Sequence, residues 1–165
     1  MDTNEAKGII NTSKKFDFIG SDVFDHLINE IDNLDDAKLN SNDETLSFDI
    51  SIEIINSIVV KLNKFEEGND FLKPNITLTL LAKDLNTNSK YLSKIINTYK
   101  QKTFTQYIND LRIDYLIEKL KTNTSYTKYS IKAIAEEIGF KTPNAFSRAF
   151  FKKIGKYPSE YIKEL

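Results

Sequence analysis

Two short groups of polar and cationic side chains have the types and the spacing that nucleic-acid recognition requires. One group is Lys90, Ser93, Lys94 and Asn97, and the other is Asn144, Ser147, Arg148 and Lys152, with Thr142 and Pro143 directly before it. Residues three, four and seven positions apart share one face of a helix, so each group would form an outward stripe. Guanidinium, amide and hydroxyl groups hydrogen-bond to base edges and phosphates. The chemistry expected of these residues is therefore non-covalent binding.

The sequence offers little for catalysis. Its single histidine, His26, follows Asp25 on the polar side of a predicted surface helix, with Asp22 and Glu30 nearby. Such a set can ligate a metal or transfer protons, but it is also typical of a solvated helix face. The sequence contains no glycine-rich phosphate loop, and no nucleophile–base pair can be assembled from it. We therefore expect no enzyme, no cofactor and no metal site.

Charge is divided unevenly along the 165-residue chain. Residues 1–73 contain 7 Lys and Arg against 16 Asp and Glu, a net charge of −9, whereas residues 74–165 contain 16 against 8, a net charge of +8. The basic half suggests a polyanionic partner, although two solvated surfaces of different composition would give the same numbers. No cysteine, no signal pattern and no membrane-spanning apolar run is present, so the expected location is the cytoplasm.

The elements that position these residues are predicted to be helical. Residues 1–45 are read as an acidic, partly disordered region with a short amphipathic helix over about 22–34. Residues 46–73 are read as a connecting helix. Alternation from Leu46 to Ile54 would suit a strand, but the helical period from Ile52 to Phe65 lasts longer and favours a helix over about 51–67, with Gly68 as its stop. Further helices are predicted over 78–85, 89–100, 104–121, 131–138, 143–153 and from Ser159, with a polar loop at 122–129.

The basic half contains an internal repeat. Leu81-Ala82 and Leu85-Asn86 align with Ile134-Ala135 and Ile138-Gly139 at an offset of 53, and one inserted turn residue makes the offset 54 thereafter. Each copy has a small residue for a close helix crossing, a residue tolerant of a left-handed turn, and an N-cap for the second helix. In order, these are Ala82, Asn86 and Asn88 in the first copy, and Ala135, Gly139 and Thr142 in the second. Core residues of the second helices would be Leu92, Ile96, Phe146 and Phe150, and the neighbouring Phe140 and Phe151 are also read as core.

These features predict an all-α fold of two tandem helix-turn-helix units, joined by a long linker helix and preceded by one or two N-terminal helices. A linker of about 17 residues would be ~25 Å long. It would hold two recognition helices roughly one DNA turn, ~34 Å, apart on one face of the duplex.

The second copy resembles the signature of the AraC-type (AraC/XylS) transcriptional regulators. The matching stretches are Ile131-Lys-Ala-Ile-Ala-Glu-Glu-Ile-Gly-Phe140, Phe146-Ser-Arg-Ala-Phe150 and Gly155-Lys-Tyr-Pro-Ser-Glu-Tyr161. The first copy and the stretch from Phe104 to Arg112 also match, so the resemblance covers about residues 74–164. It implies a double helix-turn-helix DNA-binding domain over 74–165. The implied base-reading residues are Lys90, Ser93, Lys94, Pro143, Asn144, Ser147 and Arg148.

Some positions depart from the family pattern. Asn86 stands where the first turn usually has glycine, Ile96 replaces a common phenylalanine, and Ile162-Lys163 replaces the arginine that often follows the final aromatic residue. Pro143 has no side-chain group that can hydrogen-bond to a base.

The resulting hypothesis is a sequence-specific regulator of transcription that reads two successive major-groove segments of double-stranded DNA. It would act as a monomer or weak dimer, with RNA polymerase or a sensor protein as further partners. The alternative is a protein-interaction module or anti-regulator, in which the acidic N-terminal region, through Val23 to Leu34, binds a partner or masks the basic domain. Residues 1–50 carry no assigned role under the first hypothesis.

Overall fold

The computed structural model describes His26 and residues 44–165, with the side chains of His26, 53–123 and 125–165. Residues 44–165 form seven α-helices, and the described residues include no strand. The helices are α1 (Glu44–Glu67), α2 (Leu78–Asp84), α3 (Ser89–Lys100), α4 (Phe104–Thr122), α5 (Ile131–Glu137), α6 (Pro143–Ile154) and α7 (Pro158–Lys163). Short 3-10 turns lie at Asp70–Leu72 and Thr124–Lys128. The predicted all-α class is therefore confirmed.

Most of the prediction for residues 1–45 falls outside the described residues. Only His26 of the predicted helix over 22–34 is described, and it is helical and exposed. Across the described residues, no helix combines the length and the apolar character needed to span a membrane.

Helix α1 begins at Glu44, seven residues before the expected start. Its buried face is the set Ile55, Ile58, Val59 and Leu62, whose spacing is helical. The strand-like alternation up to Ile54 lies within this helix, because a short alternation is outweighed by a longer helical period. Helix α1 ends at Glu67, which confirms the predicted stop at Gly68 within the connecting region 46–73. Pro74 disfavours helical backbone at Lys73, which is extended with a ψ of 128°.

Two apolar cores lie along the chain, one for each helix-turn-helix unit. The first core is built from α1, α2, α3 and the start of α4, and the second from the rest of α4 with α5 and α6. Linker helix α4 therefore crosses from one core to the other. Leu72 and Tyr115 pack against both cores, which places the 3-10 turn Asp70–Leu72 at their junction.

The turns of the two units are equivalent at the level of single atoms. Asn86 and Gly139 follow α2 and α5 with φ of 56° and 85°, as the repeat predicts. In the first unit the next residue, Thr87, donates its N–H to Ala82 O (2.9 Å), and in the second Phe140 donates its N–H to Ala135 O (2.8 Å). This pairing is the Schellman arrangement that ends a helix. Ala82 and Ala135 are almost fully buried, so the two small residues sit where the helices meet.

The predicted N-caps of the second helices are also confirmed. Asn88 Oδ1 accepts the Tyr91 N–H (2.9 Å) at the start of α3. Thr142 Oγ1 accepts the Ala145 N–H (3.1 Å) at the start of α6, where Pro143 occupies the first helical position. These bonds satisfy amides that have no partner within the helix.

Two boundaries differ from expectation. The polar loop at 122–129 contains a 3-10 turn, Thr124–Lys128, because Asn123 Oδ1 caps it by accepting the Ser125 N–H (3.0 Å) and Tyr126 packs into the second core. Helix α7 begins at Pro158 rather than Ser159, since the fixed φ of proline suits a first helical position.

Candidate nucleic-acid interface

The second helix of the first unit, α3, has a buried and an outward face. Leu92, Ile95 and Ile96 are fully buried against the first core. The opposite face carries the predicted first stripe, in which Lys90 and Asn97 are exposed and Ser93 and Lys94 are half-buried. The core residues fix the rotation of α3, so the four stripe residues point away from the protein together.

The second helix of the second unit, α6, is arranged in the same way. Phe146 and Phe150 are fully buried. Asn144, Arg148 and Lys152 of the predicted second stripe are exposed, while Pro143 and Ser147 are half-buried. Thr142 is also exposed. Because its oxygen already caps the helix, its hydroxyl hydrogen is left to donate to an outside acceptor.

Phe151 contradicts the sequence interpretation. It was expected in the core with Phe146 and Phe150, yet 45% of its surface is exposed. Its ring instead lies against that of Tyr157, with centroids 4.8 Å apart. The helical period contained the signal, since Phe151 lies three residues after Arg148 and therefore shares the outward face. Its apolar type is therefore a weaker guide to its burial than its position on the helix.

Linker helix α4 holds the two stripes in one molecule. It has 19 residues, which corresponds to about 28 Å at the usual helical rise. A capping box fixes its start, in which Gln106 donates its N–H to Thr103 Oγ1 (3.3 Å) and Thr103 donates its N–H to Gln106 Oε1 (3.2 Å). Lys153 of α6 donates to the Asp110 carbonyl (3.3 Å) and pairs with Asp114 (2.7 Å), which ties the second recognition helix to the linker.

Several cations of the basic half are paired within the protein. Lys100, Lys102, Lys121, Lys153 and Lys156 each lie within 2.6–2.8 Å of a carboxylate. Lys90, Arg148 and Lys152 form no ion pair with any described residue. Lys141, beside the cap of α6, is likewise exposed and was missed by the sequence reasoning. Among the described residues, Lys90, Arg148 and Lys152 of the stripes therefore keep a charge that no internal ion pair compensates.

Residues 81–164, about half of the chain, match the family described as "Helix-turn-helix domain". The chain belongs to the AraC-type helix-turn-helix family. This confirms the resemblance drawn from the second copy. The matched region is a DNA-binding domain of transcription regulators rather than a catalytic domain.

Individual relatives of this AraC-type chain agree with the assignment. The uncharacterized transcriptional regulatory protein YesN of Bacillus subtilis is 34% identical over 120 residues, which are 72% of this chain and 31% of YesN. The Msm operon regulatory protein of Streptococcus mutans is 35% identical over 88 residues, which are 52% of this chain and 29% of that protein. The chain thus spans less than a third of the length of these curated relatives.

Solved structures show the same AraC-type architecture. The C-terminal domain of AraT, a response regulator from Geobacillus stearothermophilus, superposes with a TM-score of 0.56 at 28% identity, covering 66% of this chain and 85% of that one. ToxT from Vibrio cholerae has a TM-score of 0.50 at 23% identity, covering 81% of this chain and 45% of that one, and shares the fold.

Proposed function

We propose that this chain is a regulator of transcription that binds double-stranded DNA in a sequence-specific manner. Helices α3 and α6 would enter successive segments of the major groove. The observation that carries the proposal is that both units repeat the same turn and the same N-cap arrangement ahead of a helix with an outward polar stripe. Two recognition helices built in the same way and joined by one linker helix suit the repeating grooves of a duplex.

The side-chain chemistry suggests how each stripe would work. Arg148 has the fork of donors that pairs with the O6 and N7 atoms of guanine, and Asn97 and Asn144 can pair with adenine. Ser93 and Ser147 would donate to either bases or phosphates. Lys90, Lys94 and Lys152 would supply most of the salt-dependent affinity. Thr142 would donate to a phosphate, and Pro143 would make only apolar contact.

The linker supports reading by a single chain. Successive major-groove segments on one face of DNA lie about 34 Å apart, and α4 is about 28 Å long. A monomer would then place both stripes on one face of the duplex without a partner subunit.

The DNA-binding domain is proposed over residues 74–165. Helix α1 shares the first core with α2 and α3, so it would support that domain from residue 44 onwards. Experiments on shortened chains should retain α1.

Selection of bound sequences from random DNA with the full chain tests the proposal. Two salt concentrations should be used, because phosphate contacts weaken steeply as salt rises. We expect enrichment of one site with two conserved blocks about 10 base pairs apart between centres. Binding without any enriched sequence would contradict the regulator hypothesis.

An inhibitory role for the acidic N-terminal region is the second candidate. Residues 1–43 contain 4 Lys and Arg against 10 Asp and Glu, a net charge of −6, whereas residues 44–165 contain 19 against 14, a net charge of +5, and this contrast favours it. The comparison is between the full chain and a chain beginning at residue 44. If the N-terminal region masks the interface, the shorter chain binds DNA more tightly and the difference shrinks as salt rises. Equal affinities would reject masking.

A further inference from the structure

Arg112 is the one charged side chain that is buried in the described part of the protein. It lies near the middle of α4, between the residues of that helix that enter the first core and those that enter the second. Burial lowers the pKa of its guanidinium, although an arginine remains charged at ordinary pH. Burying a charge is costly unless the charge is paired or hydrogen-bonded. The contacts of Arg112 therefore need an explanation.

The contacts of Arg112 lead to the turn before the first unit. Its Nε donates to Phe71 O and its Nη2 donates to Lys73 O, both at 2.8 Å. Its guanidinium also lies 5.3 Å from the ring centroid of Phe140, which begins the loop before α6. No described carboxylate pairs with it. Two carbonyls and an aromatic face therefore balance the charge.

The turn also touches the second unit directly. A Cβ atom on Gly139 would lie only 2.1 Å from Leu72 O and 3.1 Å from Arg112 Nη2. The backbone of Leu72 thus occupies the space next to Gly139 that any other residue type would fill. Leu72 itself packs against both cores.

The turn is fixed to the first unit through α1. Lys61 donates to Leu85 O (2.9 Å), at the end of α2. Glu66 pairs with Lys100 (2.7 Å) and accepts the Tyr107 hydroxyl hydrogen (2.9 Å), at the ends of α3 and α4. Only Gly68 and Asn69 separate α1 from the turn. A contact between this turn and Gly139 is therefore a contact between the two units.

We propose that Arg112 is a positioning residue that locks the two recognition helices at one separation and angle. It holds the turn Asp70–Leu72 and the following Lys73 on the linker helix, and it keeps Leu72 against Gly139. The linker alone is a single helix that can bend, and the turn supplies a second connection beside it. The lock makes the protein selective for the spacing of two DNA blocks, and this consequence rests on the DNA-binding function proposed above.

The first experiment measures the lock without DNA. The chain contains no cysteine, so Asn97→Cys and Lys152→Cys introduce the only two attachment sites for spin labels on α3 and α6. Pulsed electron resonance then gives the distribution of distances between the labels. We expect one narrow distribution in the otherwise unchanged chain, and a clearly broadened one after Arg112→Gln. Lys121→Gln is the matched control, because it removes the same charge from an exposed position of α4.

A second pair of variants keeps the test decisive if Arg112→Gln does not fold. Gly139→Ala pushes on Leu72, whereas Gly155→Ala adds a methyl group at a similar φ of 82° with nothing within 4 Å. The distribution should broaden or shift only for Gly139→Ala. Equal distributions in Arg112→Gln and Lys121→Gln, or in the two glycine variants, would overturn the proposal.

The second experiment measures the consequence for DNA. The selected site is remade with one or two base pairs added between its blocks. The unchanged chain should bind each DNA of altered spacing about tenfold or more weakly than the selected site. With altered spacing, only one of the two recognition helices can contact its DNA block. Arg112→Gln should lower affinity for the best site and bind all spacings within about threefold. Lys121→Gln should weaken all spacings alike. Absence of any selected site would refute the proposed function, while the label distances would still decide the role of Arg112.

Discussion

Gly139→Ala should destabilise the protein far more than Gly155→Ala. Both glycines have φ near the left-handed region, at 85° and 82°. A residue with a Cβ atom is disfavoured there by roughly 1–2 kcal/mol. This backbone strain is common to both variants. Any difference between them therefore reports what surrounds the added methyl group.

The surroundings differ sharply. At Gly155 the methyl group meets nothing within 4 Å, so we expect a loss of only ~1 kcal/mol. At Gly139 it would lie 2.1 Å from Leu72 O, so the turn must move away by more than an ångström. That movement weakens the two hydrogen bonds from Arg112, each worth about 1.5–3 kcal/mol because the donor is charged. Weakening them adds about 2–3 kcal/mol to the strain.

Urea denaturation of both variants, followed by helix content, measures the difference. The free energy of unfolding is extrapolated to zero denaturant, and the midpoints are compared at equal slopes. We expect Gly139→Ala to be lower than Gly155→Ala by about 2–3 kcal/mol. A difference below ~0.5 kcal/mol would refute the assignment of Leu72 and Arg112 as the tight contact.

Three further outcomes follow from the interface and the first core. Arg148→Ala should cost about 1–3 kcal/mol on the selected site and relax sequence preference at one position, and equal loss on random DNA would make Arg148 a phosphate contact instead. Lys152→Gln should weaken all sequences alike and reduce the salt slope by about one unit, whereas an unchanged slope would remove Lys152 from the contact surface. Burial and Glu66 raise the pKa of Tyr107 above 10.0 in the folded protein. The protonated Tyr107 hydroxyl therefore stabilises the fold fully below that pH, and this stabilisation is lost as the pH rises further. Tyr107→Phe should therefore lose less stability than the unchanged chain between about pH 9 and 11 in urea titrations, and parallel losses would contradict this.

The repeat explains why so much of each unit was predictable. Turn residues, caps and outward stripes depend on neighbours within a few positions, and Asn86, Gly139, Asn88 and Thr142 all adopt the expected roles. Local backbone preferences suffice for such features.

The role of Arg112 was not predictable in this way. Its hydrogen-bond partners lie 39 and 41 residues earlier in the chain, and arginine is ordinarily an exposed residue. Only the meeting of the two cores brings the turn and the linker together. Phe151 differs, because its helical position alone places it on the outward face although its apolar type favours burial.

Methylation protection of guanines on the selected site tests the central claim most directly. Guanine N7 faces the major groove, so a helix lying there shields it from the reagent. We expect two protected clusters about 10 base pairs apart on one face of the duplex. Substitution of Lys90 and Lys94 by Ala should remove one cluster, and Arg148→Ala should weaken the other. A single cluster, or loss of both clusters from either change alone, would contradict reading of DNA by two separate recognition helices.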